Sequence, residues 1–374
     1  MRSIISTSAL AALLASGAVQ AGGLDRSGQD TSIIFKEGGL FEVTSVSVKP
    51  TVSGINAGYN TATGDVAPDY SMTTMGLRAD INDSMAVAII KDNPYGADVS
   101  WTNATLSGTE VSVGSDATTA LLSYNASDAV TVYGGIISQS VDATLTSKVS
   151  NPAIGGGIAG GALNYQLTST ASSATGYVMG TAFEKPEIAL RVALTYHTKV
   201  KHNMAIQETC TSPLGYCGTT AATSMNFYMP SAYNLDFQTG IAANTLLFGS
   251  IRRANWTETK LVGGLYPGQT IKEYTDDTTV YSIGLGRKLN DQWSIAATYG
   301  WEKATGERGS ALGPTDGNSN YGLGATYTAD QLSVTVGARQ ISFGDTPVDV
   351  SGSQAAAMAD NKGLLTAVKL AYKF

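Results

Sequence analysis

Fourteen segments of about ten residues follow one another after residue 39, and in each of them apolar side chains alternate with small or polar ones. A period of two indicates an extended strand, because successive side chains of a strand point to opposite faces. The segments lie at roughly 40–52, 70–80, 84–101, 117–126, 129–138, 175–184, 187–198, 232–242, 245–256, 278–289, 291–303, 318–328, 331–343 and 362–374. Their number is even, as closure of an antiparallel barrel by a single chain requires.

The connectors between these segments alternate in length. The short ones are Ile81-Asn82-Asp83, Ala126-Ser127-Asp128, Lys185-Pro186, Ala243-Asn244, Asn290-Asp291 and Ala329-Asp330. Most of them carry the Asn, Asp or Pro that tight turns favour. The long connectors fall between them, and the one at 139–174 contains a Gly-rich apolar run at 152–163 that would suit an apolar landing surface. Short turns at one end and long loops at the other are typical of a transmembrane β-barrel.

Two segments indicate which face meets lipid. At 293–301 the apolar face carries Trp293, Ile295, Ala297, Tyr299 and Trp301. A rise of about 3.3 Å per residue and a tilt of about 40° separate the two tryptophans by roughly 20 Å along the membrane normal, which suits two aromatic girdles. The last segment, LLTAVKLAYKF, alternates in the same way and ends on Phe374. A terminal aromatic strand resembles the signal that barrel-assembly machinery recognises.

The first residues predict export. Arg2 precedes an apolar run from Ile4 to Leu14, and Val19-Gln20-Ala21 has the small-x-small pattern of a signal-peptide cleavage site. We therefore expect a signal peptide at 1–21, a short N-terminal segment at 22–39 and a barrel at 40–374. Only 14% of residues are charged, against about 25% in ordinary soluble domains. The expected location is the outer membrane of a Gram-negative bacterium, among lipid and lipopolysaccharide, and the net charge of −7 argues against nucleic acid as a partner.

Four segments, in order, resemble the FadL/TodX-type outer-membrane transporters of long-chain fatty acids and hydrocarbons. They are NDSMAVAIIKDNPYGADVSW (82–101), EKPEIALRVALTYHTKVKH (184–202), MPSAYNLDFQTGIAANTLLFGSIRRANW (229–256) and YSIGLGRKLNDQWSIAATYGWEKATG (281–306). The resemblance implies an all-β antiparallel barrel of fourteen strands with an N-terminal luminal plug, or hatch. It also implies passive uptake of a hydrophobic ligand, with exit sideways through a gap at a kinked third strand.

The third segment supports a kink on its own terms. It contains Asn93-Pro94-Tyr95-Gly96. Pro94 has no N–H to donate and Gly96 permits unusual backbone angles, so regular pairing should break there. We take Pro94 and Gly96 as the predicted lateral opening, with a plain bulge as the alternative. The predicted plug differs from that of the family, because residues 22–39 lack the Asn-Pro-Ala motif that is usual there. An Asn-Pro-Ala sequence does occur at 151–153, where we predict a turn.

A fatty acid needs an apolar lining and cations for its carboxylate. The alternation places four cations on lumen faces, and they are the predicted ligand-binding residues: Arg191, Arg252, Arg339 and Lys369. Arg191 and Arg252 are the first candidates for ligand binding, because their strands match the family best. The alternative is that these cations pair with luminal acids such as Asp236 and Glu302.

Other classes of function have less support. Cys210 and Cys217 are expected to form a local disulfide, and two cysteines alone cannot enclose a structural zinc ion. No serine-centred motif accompanies His197 and His202, so we expect no enzyme and no cofactor, and we read His197 as a girdle or rim residue. The alternative function is a general diffusion porin for small polar solutes, and a structural adhesin or phage receptor is a third possibility.

Overall fold

The computed structural model describes residues 23–103, 106–149, 163–211, 218–265, 270–350 and 353–374. The predicted signal peptide, residues 152–162 of the apolar loop run, the Asn-Pro-Ala at 151–153 and Cys217 lie outside these ranges. Within them, no helix has the length and hydropathy required to span a bilayer.

The described residues form strands and three short 3-10 helices, at Ser32–Phe35, Pro186–Ile188 and Trp256–Glu258. The strands are β1 (Leu40–Thr51), β2 (Gly54–Asn56), β3 (Thr61–Ala62), β4 (Tyr70–Asn82), β5 (Met85–Asp92), β6 (Ala97–Ser100), β7 (Glu110–Ser127), β8 (Val130–Val149), β9 (Leu163–Ser169), β10 (Ser172–Lys185), β11 (Leu190–His197), β12 (Val200–Thr211), β13 (Gly218–Met229), β14 (Ala232–Ala242), β15 (Thr245–Ala254), β16 (Lys260–Val262), β17 (Thr270–Glu273), β18 (Thr278–Lys288), β19 (Trp293–Glu302), β20 (Gly309–Ser310), β21 (Asn318–Ala329), β22 (Leu332–Phe343), β23 (Thr346–Val350), β24 (Ser353–Met358) and β25 (Lys362–Lys373).

Fourteen strand positions close into an antiparallel barrel, which confirms the predicted fold class. The order is β1, β4, β5, β7, β8, β10, β11, β14, β15, β18, β19, β21, β22 and β25. The seam between β25 and β1 runs from Leu40 opposite Lys373 to Thr51 opposite Lys362. Away from the interruption after β5, each wall strand pairs with a neighbour on both sides. The barrel therefore satisfies its backbone hydrogen bonds without water, as a bilayer requires.

The side chains of the wall strands point to lipid or to the lumen as the sequence predicted. In β19, Trp293, Ile295 and Trp301 are exposed, while Ser294 and Glu302 are buried. Aromatic pairs mark the two ends of this region: Trp293 lies 5.1 Å from Tyr327 between ring centroids, and Tyr281 lies 4.8 Å from Trp301. Exposed aromatic and aliphatic side chains therefore form the lipid face, and buried polar ones face the lumen.

Much of the two longest predicted loops is strand, which corrects that part of the sequence analysis. β8 runs to Val149, β9 pairs with it, and β12 and β13 form a hairpin. In β12 the pattern inverts: Lys201 and Asn203 face outward, and Met204 and Ile206 are buried. Above the bilayer the outer face meets water, so a search for apolar residues on the outer face misses these strands.

Smaller elements cover the end of the barrel that carries the long connections. A five-stranded sheet has the order β20, β23, β24, β2 and β3, and β16 and β17 form a hairpin. Residues 23–39 instead lie against the luminal wall: Ile33 and Ile34 are buried in one apolar cluster with Ala88, Ile90 and Leu121. The N-terminal segment (residues 23–39) therefore fills space inside the barrel.

Candidate transport pathway

The third strand is interrupted where the sequence predicted. β5 ends at Asp92 and β6 begins at Ala97, leaving Asn93-Pro94-Tyr95-Gly96 between them. β5 pairs with both β4 and β7, but β6 pairs with β7 alone among the described strands. The last pair between β4 and β5 is Met75 with Lys91, so the remainder of β4 has no strand partner on this side. The wall therefore has a gap in its hydrogen-bonding between β4 and β6.

The N-terminal segment covers this gap with backbone hydrogen bonds. The Arg26 N–H donates to the Pro94 carbonyl over 2.7 Å, and the Gly96 N–H donates to the Leu24 carbonyl, also over 2.7 Å. A Cβ on Gly96 would lie 2.5 Å from the guanidinium carbon of Arg26, so a larger residue at position 96 would displace the Arg26 side chain. The predicted opening at Pro94 and Gly96 is thus occupied by the segment itself.

The Arg26 side chain spans the same gap. Its guanidinium forms an ion pair of 2.6 Å with Asp98 on β6. It also lies 4.0 Å from the ring centroid of Tyr70 on β4, within the range of a cation–π interaction. One side chain therefore connects the two strands that the backbone leaves unpaired. Arg26 was not predicted from the sequence, because no local pattern shows that its partners are Tyr70 and Asp98.

Asp25 holds the segment to the opposite side of the lumen. Its carboxylate forms a buried ion pair of 2.5 Å with Arg252 on β15 and accepts a 3.0 Å hydrogen bond from the Trp256 indole N–H. Arg252 also donates to Asn234 over 2.8 Å and to Gln29 over 3.0 Å. This network is fully desolvated, so removal of one partner leaves an uncompensated buried charge.

A family model described as "Outer membrane protein transport protein (OMPP1/FadL/TodX)" matches residues 33–374. The chain belongs to the OMPP1/FadL/TodX family. This confirms the resemblance found in the sequence. Members of the family are outer-membrane transporters of hydrophobic compounds and not enzymes.

Solved structures with the same fold are distant in sequence. A Pseudomonas aeruginosa FadL homologue has a TM-score of 0.76 at 15% identity, covering 96% of this chain and 97% of that one. The Pseudomonas putida toluene transporter TodX has a TM-score of 0.65 at 12% identity, covering 91% of each chain. The Ralstonia pickettii toluene transporter TbuX has a TM-score of 0.62 at 10% identity, covering 92% of each. No curated protein matches the chain at a significant level.

The four predicted ligand-binding cations of this family member lie on four different strands. Arg252 is held by Asp25, and Lys369 forms a 2.7 Å ion pair with Glu42. Arg339 is 5% exposed on the luminal face of β22. The predicted acid pairing is therefore seen for Arg252 and Lys369, and their acids are Asp25 and Glu42.

Arg191 has a different environment. It donates a 3.2 Å hydrogen bond to the neutral side-chain amide of Gln238 and lies 4.7 Å from the ring centroid of Phe35. It forms no ion pair with a carboxylate of the described residues. Of Arg191, Arg252 and Lys369, Arg191 is the cation whose charge a ligand carboxylate could meet without displacing another acid.

The space between the N-terminal segment and one side of the barrel wall is small. A cavity of about 50 Å³ remains between the segment and β1, β4, β5 and β25, with Asp30, Glu42, Asp92 and Lys369 in its lining. This volume admits a few water molecules, whereas pockets for larger ligands enclose about 300 Å³ or more. At this position the structure leaves no room for a long-chain ligand.

A buried carboxylate secures the outer end of the pathway. Glu208 on β12 accepts hydrogen bonds from Tyr165 (2.5 Å), Thr223 (2.7 Å) and the Gly264 N–H (2.9 Å), which docks the β16–β17 hairpin. Burial raises the pKa of Glu208, but these hydrogen bonds outweigh it and hold the pKa below its usual value. Cys210, two residues later, is buried.

Proposed function

We propose that this protein takes up long-chain fatty acids or similar hydrophobic compounds by passive diffusion, with lateral exit between β4 and β6. The observation that carries the proposal is the unpaired stretch of wall beside Pro94 and Gly96. A ligand leaving there passes from an apolar interior into lipid without crossing water. The N-terminal segment fills the opening in this structure, so exit requires the segment to move.

Arg191 is the first proposed partner of the ligand carboxylate. Its guanidinium has a neutral amide partner, so pairing with a ligand carboxylate gains charge-assisted hydrogen bonds and costs one neutral one. Arg252 and Lys369 bind a ligand only when Asp25 and Glu42 release them. Arg339, buried on the luminal face, is the fourth proposed contact.

The substrate class is tested by binding to the refolded barrel. A fluorescent long-chain fatty acid is titrated against the wild type and the Arg191→Ala variant, and the matching alkane is tested as a competitor. Arg253→Ala is the matched control, because this arginine is exposed and forms a surface ion pair with Asp277. Saturable binding that Arg191→Ala weakens and Arg253→Ala does not supports the fatty-acid proposal. Equal competition by alkane and acid instead indicates a hydrocarbon transporter, the activity that the names of TodX and TbuX give for those proteins.

Conductance in planar bilayers separates the transporter from the porin. The N-terminal segment lies inside the barrel, and the cavity beside it has a volume of about 50 Å³, so we expect near silence. A steady large conductance, together with no saturable binding of acid or alkane, would refute the proposal and favour the general diffusion porin.

Three further expectations accompany the proposal. Cleavage after Ala21 is checked by N-terminal sequencing of the exported protein, and insertion into lipid and lipopolysaccharide through barrel-assembly machinery by depletion of that machinery. The Cys210–Cys217 disulfide is checked by mass spectrometry without reduction.

A further inference from the structure

His197 does not lie at the rim but is buried in the luminal wall, at 2% exposure on β11. Neither of its ring nitrogens has a hydrogen-bond partner among the described residues. Burying a polar group without a partner is costly, so such groups are rare in folded proteins. A side chain of this kind calls for a partner that the described chain does not supply.

The nearest neighbours of His197 in its row of the barrel are apolar. Across the sheet, His197 lies opposite Val178 on one side and Ala232 on the other, and Ala232 lies opposite Ala254. Ala232 and Ala254 belong to the outer apolar cluster, which also contains Val141, Val200, Met204, Met229 and Trp256. His197 is therefore a single unsatisfied polar group against a large apolar surface.

The next row towards the short turns is polar, and each of its side chains named below has a hydrogen-bond partner. Thr195 lies opposite Asn234, and Asn234 lies opposite Arg252. Their partners are the Tyr133 hydroxyl at 2.6 Å, the Gly28 carbonyl at 2.9 Å and the Asp25 carboxylate at 2.5 Å. The N-terminal segment thus binds the row below His197 and leaves His197 itself unpaired.

His202, farther along the same wall, provides an internal comparison. It is also buried, but its ring nitrogens lie 3.1 Å from the Ser172 carbonyl and 3.1 Å from the Gln139 amide oxygen. The fold therefore satisfies a buried histidine where its role is structural. Of the two histidines, both within the described residues, only His197 lacks a hydrogen-bond partner there.

We propose that His197 is the polar contact of a ligand subsite between the outer apolar cluster and the N-terminal segment. Because no carboxylate of the described residues is within ion-pair distance of His197, burial favours the neutral imidazole, which offers one N–H donor and one acceptor lone pair. The complementary ligand is an aliphatic chain ending in a hydroxyl or an undissociated carboxyl group, which likewise donates and accepts one hydrogen bond. The apolar chain lies against the outer apolar cluster. This inference rests on the proposed function and specifies which polar end the pathway selects.

The test compares hexadecanol with hexadecane, which differ by one hydroxyl. Both displace dansyl-undecanoic acid from the detergent-solubilised full-length barrel. One good hydrogen bond corresponds to about a tenfold preference for the alcohol in the wild type. His197→Phe removes that preference, while His197→Gln, which keeps a donor and an acceptor, retains part of it. His202→Phe is the matched control and keeps the preference.

The outcomes separate this inference from the proposed function. Saturable binding with equal displacement by alcohol and alkane in the wild type refutes the subsite, as does a preference that survives in His197→Phe. No saturable binding of the dansyl probe to the wild type refutes the proposed function and the subsite with it. Heat-modifiable migration on gels verifies that each variant forms the barrel before binding is measured.

Discussion

Arg26→Ala tests the contact that bridges the gap between β4 and β6. The substitution removes a 2.6 Å ion pair with Asp98 and a cation–π contact of 4.0 Å with Tyr70. The two ion-pair side chains are 13% and 26% exposed, so solvent screens them only in part. A charge-assisted hydrogen bond contributes about 1.5–3 kcal/mol and a cation–π contact about 0.5–2 kcal/mol, and such terms are not additive. We expect the free energy that holds the N-terminal segment in place to fall by about 2–3 kcal/mol. This change raises the population of molecules with a displaced segment roughly 30- to 150-fold.

Hydrogen exchange at the Gly96 amide measures this population directly. That N–H donates to the Leu24 carbonyl across the gap, so it exchanges when the N-terminal segment leaves. We expect its exchange to accelerate by the same factor of roughly 30 to 150 in Arg26→Ala, and the initial rate of fatty-acid uptake to rise as well. Arg253→Ala is again the control, since its ion pair with Asp277 lies on the outer surface. Unchanged exchange at Gly96 in Arg26→Ala would refute the bridging role, and faster exchange with unchanged uptake would refute the lateral exit.

Three further predictions concern buried polar groups. Asp25→Asn leaves Arg252 buried without its counter-charge, so we expect the free energy of unfolding to fall by about 3–5 kcal/mol in urea titrations, whereas an unchanged value would mean that the pair is dispensable. His202→Phe leaves two polar partners unsatisfied and should cost about 1–3 kcal/mol, while His197→Phe should be neutral or stabilising in the same titration. The pKa of Glu208 is depressed, so its stabilisation of the β16–β17 hairpin is fully present above the ordinary glutamate pKa and is lost as pH falls through the pKa of the folded state. Hydrogen exchange at the Gly264 amide, corrected for its intrinsic pH dependence, should therefore become faster on acidification in the wild type. In Glu208→Gln the corrected exchange rate should not change over this pH range.

The strands of the barrel are readable from the sequence because lipid imposes one rule on every span. Outward residues such as Ile295 must be apolar, and neighbouring inward residues such as Ser294 need not be. Beyond the bilayer that rule is lost, which is why β12 and β13 were assigned to a loop. Pro94 and Gly96 were also readable, since each carries its own backbone constraint wherever it stands.

The interior was less predictable, because its contacts join residues far apart in the chain. Arg252 was correctly assigned to the lumen, but its partner Asp25 lies 227 residues away, and alternation along one strand carries no information about it. The same holds for Arg26, whose partners are on two other strands. For His197, alternation could give its face but not the lack of a hydrogen-bond partner, which is a property of the assembled wall.

Asp25 and Arg26 connect the interior of the barrel to the gap in its wall. They are adjacent in the chain, and their side chains bind different parts of the barrel: Asp25 binds Arg252 on β15, and Arg26 binds Asp98 on β6. An anionic ligand that competes for Arg252 competes with Asp25, and it removes a tether one residue away from the contact that closes the gap. Since the Arg26 N–H is also bonded to the Pro94 carbonyl, a shift of the segment at Asp25 strains both the side-chain and the backbone closure. We therefore predict that occupation of the lumen and opening of the wall are linked through the Asp25–Arg26 peptide unit.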